Sequence, residues 1–316
     1  MLSHIKKIGK MYEYEFATDR LVGQNDRYVW WSRRPQMARI FRLLVKLQDS
    51  RIPLLFEGEP GVGKKTWAEI MHRAGKHKHG HLLNVDCKRV TPLRFRTSIT
   101  NLIAAVASQA NYRGATSTVF CGTVVLHDVH RLSKNMQDFV LALLREKKLL
   151  LARNSLLPLD VRFIATTTAE MQKMVASGRF RRDLFFRLSV YPIALPRLAE
   201  RTGDIEAFVR YFCRLYARQN RKPLCRFSKA AIANLQRMDW PYNLIDLRKA
   251  VFRSIAAANT DILMSRIDWQ PPRCNAAQTD FRFAAEPAQR YQQADDVEQT
   301  ARIDFSVPDS SFETHK

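Results

Sequence analysis

Nine residues, Gly58-Glu59-Pro60-Gly61-Val62-Gly63-Lys64-Lys65-Thr66, constrain the fold of this chain more than any others. They satisfy G-x-x-x-x-G-K through Gly58, Gly63 and Lys64, and Gly61 adds backbone freedom. The apolar run Pro53-Leu54-Leu55-Phe56 leads into the turn, and a helical pattern over residues 65–74 leads out of it. Glycines let backbone N–H groups close around phosphate oxygens, and the helix that follows adds the positive end of its dipole. Lys64 would reach the outer phosphates. The next position usually carries a Ser or Thr hydroxyl for magnesium; here it is Lys65, with Thr66 one place late. A plain Gly-rich turn is the alternative, and the strand-turn-helix setting selects phosphate binding over it.

A fold class follows from what surrounds the turn. Strand-like runs at residues 81–85, 123–126 and 161–166 alternate with helical patterns, among them residues 135–147 behind Ser133 as N-cap. Such alternation predicts an α/β architecture, a parallel sheet covered by helices on both faces. From Pro196 onward the strand signals stop. Residues 204–219, 228–238 and 243–258 carry helical periodicity, which predicts a small all-helical subdomain.

Charge narrows the partners. Lys+Arg 52 against Asp+Glu 30 gives +22, and residues 275–316 hold eight acidic and four basic side chains, leaving +26 on residues 1–274. That excess predicts DNA or another polyanion as a partner. The tail after Pro271-Pro272 shows neither helical nor strand period and reads as disordered. No apolar run approaches the ~18 residues of a membrane span, and no signal-peptide core follows the N-terminus. Five cysteines without a C-x-x-C pair fit scattered thiols in a reducing cytoplasm.

Several blocks, in order, carry a resemblance: Leu21-Val22-Gly23, GEPGVGKKTWAEIMHRAG, Asn84-Val85-Asp86-Cys87, GTVVLHDVHRLSKNMQ, VRFIATTT, GRFRRDLFFRLSVYPIALPRLAERTGDI and DWPYNLIDLRKAV. From Arg20 to about Trp269 the chain resembles the AAA+ domain of sigma-54-dependent, NtrC-like transcription activators. The resemblance implies an N-terminal extension at 1–19, a nucleotide-binding AAA+ subdomain at 20–195, a helical lid at 196–270 and an acidic tail at 271–316. It implies ATP or ADP as the cofactor, held by Gly58, Glu59, Pro60, Gly61, Val62, Gly63, Lys64, Lys65 and Thr66 with His127 and Thr168. Arg181 and Arg187 match arginine fingers, which act on a neighbouring subunit's nucleotide and imply a homo- or hetero-oligomer.

Departures from the family pattern shape the functional expectation. His127-Asp128 stands where the family has Asp-Glu, so the carboxylate that organises Mg2+ is gone and the water-orienting acid is one methylene short. Thr168 replaces the sensor Asn, Ile245 replaces the second sensor Arg, and Lys65 replaces a Glu. Between Cys87 and Gly122 there is no GAFTGA loop for sigma-54 polymerase, and no flanking receiver or helix-turn-helix is expected. The leading expectation is a cytoplasmic regulator that binds nucleotide and hydrolyses it weakly or not at all, with Asp128, Arg181 and Arg187 as the catalytic remnants. A working ATPase motor and a scaffold for a true activator remain as alternatives. His72, His77, His79 and His81 read as a basic loop, His127-Asp128-x-His130 as a strand end, and neither as a metal site. Trp30-Trp31 reads as helix packing rather than base stacking, while Arg94, Arg96, Arg113 and residues 218–226 supply positive surface.

Overall fold

The computed structural model describes residues 5–8, 11–16, 28–32, 35–75, 78, 80–98, 101, 120–150, 156–257 and 263–264. Leu21-Val22-Gly23, His77, His79, Arg113, the stretch 102–119 and the tail 271–316 lie outside them.

The centre is a parallel sheet of β4 (Leu54–Glu57), β5 (His81–Asp86), β6 (Phe120–His127), β8 (Leu156–Thr167) and β9 (Tyr191–Ala194), in the order β5-β6-β8-β4-β9. All four residues of β4 are buried, as expected of a parallel strand covered on both faces. Around it run α1 (Pro35–Leu47), α2 (Lys64–Ala74), α3 (Lys134–Glu146), α4 (Met171–Ala176) and α5 (Arg182–Leu188). Ser133 caps α3 as its sequence position predicts, accepting from the Met136 amide at 3.4 Å. Buried Arg162 in β8 ties α1 to the sheet by donating to the carbonyls of Leu47 and Gln48, both at 2.9 Å. The α/β expectation holds, and the five strands place the Gly-rich turn at the C-terminal end of β4.

Elsewhere the structure has strands beyond those expected from the sequence. β7 (Lys148–Leu150) pairs antiparallel with the early half of β8, which begins five residues before the expected 161. β1 (Ile5–Ile8), β2 (Met11–Phe16) and β3 (Tyr28–Ser32), the last carrying Trp30-Trp31, form a separate antiparallel sheet. The expectation that strands stop at Pro196 is corrected: β10 (Arg226–Phe227) pairs in parallel with β11 (Leu263–Met264). Two residues are too few to show an alternating pattern.

That ribbon accompanies three helices, α6 (Ile205–Asn220), α7 (Lys229–Arg237) and α8 (Leu244–Ala257). Their core gathers Phe208, Phe212, Leu235, Trp240 and Val251. No helix among the described residues is long and apolar enough to cross a membrane.

The helical part docks on the Gly-rich turn through Arg201, Asn243 and Leu244, and Asn243, just before α8, makes the most bonds. Asn243 is 1% exposed and takes φ 52°, a left-handed conformation that Asn tolerates better than most side chains. Its Nδ2 donates to Glu59 Oε2 at 3.1 Å and Pro60 O at 3.0 Å, while its Oδ1 accepts from the Leu198 amide at 2.6 Å. Asn243→Ala should therefore lower unfolding free energy by about 2–4 kcal/mol, since buried partners are left unpaired. Asn243→Asp should do no better, because it sets a carboxylate against Glu59. Chemical denaturation of the two variants checks this; a loss below about 0.5 kcal/mol in both would refute it.

Candidate functional site

The turn between β4 and α2 resolves into a strict allocation of backbone carbonyls. Gly58 O and Glu59 O both accept from Lys64 Nζ at 2.8 Å. Pro60 O accepts from Asn243, Gly61 O from the Leu244 amide at 3.1 Å, and Val62 O from Arg201 at 2.8 Å. Gly63 O takes the Trp67 amide at 3.0 Å and starts the helix. Six consecutive carbonyls are thus turned onto donors. The amides of Gly61, Gly63, Lys64 and Lys65 meet no acceptor among the described residues. A loop with its oxygens occupied and its N–H groups open is an anion cradle, reinforced by the α2 dipole.

Burial sharpens the cradle's charge. Lys64 is 8% exposed, and desolvation pushes its ammonium down to about 8, against the pull of Asp128 and Glu59. Gly61 cannot be replaced, because it takes φ 81° and a Cβ there would collide with the Tyr242 carbonyl oxygen. Ile245, at the expected sensor position, lies over this glycine: its Cδ1 would stand 3.3 Å from that Cβ. An aliphatic side chain therefore occupies the edge of the cradle where an arginine was expected.

The other wall comes from the C-terminal ends of β6 and β8. His127 ends β6 with Nε2 2.8 Å from Asn84 Oδ1 on β5. Burial, and then the Lys65 ammonium, lower its pKa against the opposing pull of Asp128 and Asp86. Asp128 follows at φ 55°, left-handed, with its amide donating to Thr166 Oγ1 at 3.2 Å. His130 Nδ1 lies 3.1 Å from Thr167 Oγ1, and its pKa is likewise lowered by burial. Thr168 is the half-buried residue just past β8, Lys65 is exposed and Thr66 half-buried. Magnesium fits this donor set poorly. An imidazole at His127 and an ammonium at Lys65 stand beside the Asp128 carboxylate, where a hard cation takes oxygen ligands.

Arg181 is the residue just before α5, and Arg187 lies in the last turn of that helix. Arg181 is clamped by Asp138 and Asp183, with Nη2 2.9 Å from Asp183 Oδ2. This pairing raises its own pKa and holds the Asp183 carboxyl down at about 2. Arg187 is exposed and lines a cavity of about 370 Å³ with Arg51 and Lys147. The residues that sequence reasoning missed are Asn243, Arg201, Asn84 and Thr166. Each sits inside a block that resembles the family, but none has the charge cluster or glycine spacing that singles out a site. Their work is to fix backbone.

The comparisons agree with this geometry. The Sigma-54 interaction domain matches residues 31–194, and the AAA+ ATPase lid domain matches residues 199–268. The chain is 28% identical over 235 residues to the nitrogen fixation protein AnfA of Azotobacter vinelandii, covering 72% of this chain and 44% of AnfA. It is 32% identical over 214 residues to the nitrogen assimilation regulatory protein NtrX of Azorhizobium caulinodans, covering 67% and 46%. Among solved structures, NtrX of Brucella abortus in complex with ADP superposes with TM-score 0.57 at 25% identity, covering 70% of this chain and 49% of that one. The chain spans about half the length of the relatives it matches. With the domain match extending over more than half of its residues, the chain belongs to the sigma-54 interaction domain family, the AAA+ unit of NtrC-like transcription activators.

Proposed function

We propose that this chain binds ATP or ADP in the 58–66 cradle, hydrolyses it weakly or not at all, and works as a divergent transcription regulator of the sigma-54 activator type. The observation that carries the binding half is the carbonyl allocation, which leaves the Gly61, Gly63, Lys64 and Lys65 amides for phosphate oxygens. The solved relative in complex with ADP supports the same nucleotide class. Bound nucleotide supplies a phosphoanhydride whose outer oxygens would draw Lys64 Nζ off the Gly58 and Glu59 carbonyls. The organisation behind this function is an extension at 1–19, a nucleotide-binding subdomain at 20–195, a lid at 196–270 and a tail at 271–316.

Weak hydrolysis follows from the second wall. His127 brings an imidazole in place of a carboxylate and is already turned to Asn84, Asp128 is shorter than the acid it replaces, Thr168 stands for the sensor Asn, and Ile245 cannot neutralise phosphate. Gly58, Glu59, Pro60, Gly61, Val62, Gly63, Lys64, Lys65 and Thr66 bind, while Asp128 with a neighbour's Arg181 and Arg187 would form the residual catalytic set. Those two arginines support assembly with another copy or with a related subunit, and the +26 body supports a polyanionic partner such as DNA. Activation of sigma-54 polymerase by this chain alone is not expected, since residues 88–121 carry no GAFTGA motif.

Nucleotide affinity should lean on Lys64 and little on magnesium. Below about pH 8 its ammonium is charged and binds phosphate; above that it is increasingly neutral in the free protein. Binding then has to take up a proton, so the dissociation constant should rise by up to tenfold per pH unit above 8. Titration of fluorescent ATP across pH 7–9.5, with and without EDTA, checks the slope. An affinity that collapses with EDTA, or survives Lys64→Ala, would refute the reading.

Turnover should fall well below about 1 s⁻¹, the lower end of ordinary enzyme rates. His127→Asp, Asp128→Glu and Ile245→Arg together should raise phosphate release, and each alone should change it little, because groups acting as a unit are not additive. A wild-type rate above about 1 s⁻¹ would sink the weak-hydrolysis half and leave binding standing.

A further inference from the structure

The lid carries a charge array that the nucleotide site does not use. Residues 205–237 hold eight basic side chains and a single acid, Glu206. On α6, Arg210, Arg214 and Arg218 recur every four residues and so share one face. Like charges at that spacing repel across a helix surface. Among the described residues Arg210 meets that acid, with Nη2 3.9 Å from Glu206 Oε1. Arg221, in the left-handed cap, and Lys222 extend the row past the end of a helix about 24 Å long. Arg214, Lys222 and Arg226 are exposed and make no ion pair among the described residues.

The row is gathered around a depression. Arg210, Arg214 and Arg226 line one cavity of about 360 Å³, together with Glu206, Leu224 and Phe227. Folding therefore brings a guanidinium from β10 beside two from α6, although eleven residues separate Arg214 from Arg226. A merely solvated face needs no such convergence. Several guanidiniums at helical spacing, with almost no acid among them, match a regular row of phosphates better than a folded acidic protein, whose carboxylates have no fixed repeat.

We propose that the α6–β10 face of the lid binds the phosphodiester backbone of nucleic acid, with Arg210, Arg214, Lys222 and Arg226 as its contacts. This rests on the polyanion reading above and assigns it to one surface. Recognition runs through phosphates, so it is insensitive to base sequence and steeply dependent on salt.

The test uses the full chain in anisotropy titrations against a mixed-sequence duplex and a single strand of the same length, at two salt concentrations. The triple variant Arg214→Gln, Lys222→Gln, Arg226→Gln should weaken duplex binding at least tenfold at about 50 mM salt. It should also flatten the slope of log affinity against log salt by about 2.7, or ~0.9 per lost contact. A matched variant that loses the same charge elsewhere, Arg39→Gln, Arg42→Gln, Arg94→Gln, should keep most of the affinity and slope. Unchanged melting temperatures in both variants show that folding is intact. Binding by the wild type with equal losses in the two variants overturns the surface assignment and leaves the polyanion reading in place. No binding to either nucleic acid at about 50 mM salt overturns both. Equally tight binding of poly-glutamate overturns the choice of phosphodiester. Single-strand affinity above duplex affinity keeps the proposal and names the strand as its target.

Discussion

Everything around the nucleotide site depends on where the carbonyls of residues 58–63 go. A tight Gly-rich turn that exposes its N–H groups must aim its C=O groups inward, where each needs a donor. The chain supplies two from Lys64 itself, one from the first turn of α2, and three from the lid, through Asn243, Leu244 and Arg201. The lid is therefore part of the loop's structure. Glycine at position 61 is the other half of the same constraint, because Tyr242 comes too close for any side chain.

Arg201 shows what this arrangement costs. Its guanidinium is 1% exposed, and burial pulls its pKa down to about 10 despite Asp204 and Glu200. It is retained where one nitrogen reaches Val62 O and its plane lies over the Phe208 ring, 5.4 Å from the centroid. A buried cation in that role is a positioning group. The same holds across the sheet for Arg162, which closes the end of α1.

Much of this was legible in the sequence and some was not, for a physical reason. The cradle was legible because phosphate binding needs glycine and lysine at fixed spacing, and Gly58, Gly63 and Lys64 show it. The substitutions at His127, Thr168 and Ile245 were legible because each interrupts a block otherwise like the family. The donors that hold the loop were not. An asparagine 184 residues from Glu59 leaves no local signature, and its left-handed φ is visible only in three dimensions. β10 and β11 stayed hidden because two residues cannot show a period, and β9 because Pro192 inside a four-residue run reads against a strand.

The lid's two surfaces are joined through a single helix. α6 carries Arg210 and Arg214 on its exposed face and Phe208 on its buried face, and Phe208 supports the guanidinium that holds Val62. α6 and α8 share one apolar core, and α8 begins at the residues that dock on Pro60 and Gly61. A shift of α6 relative to the sheet would disturb the Phe208 ring under Arg201, and with it the support of the bond to Val62. A close-packed core transmits displacement because it has no free volume to absorb it. The turn that would hold phosphate and the helix that displays positive charge are therefore mechanically coupled, even though no residue belongs to both.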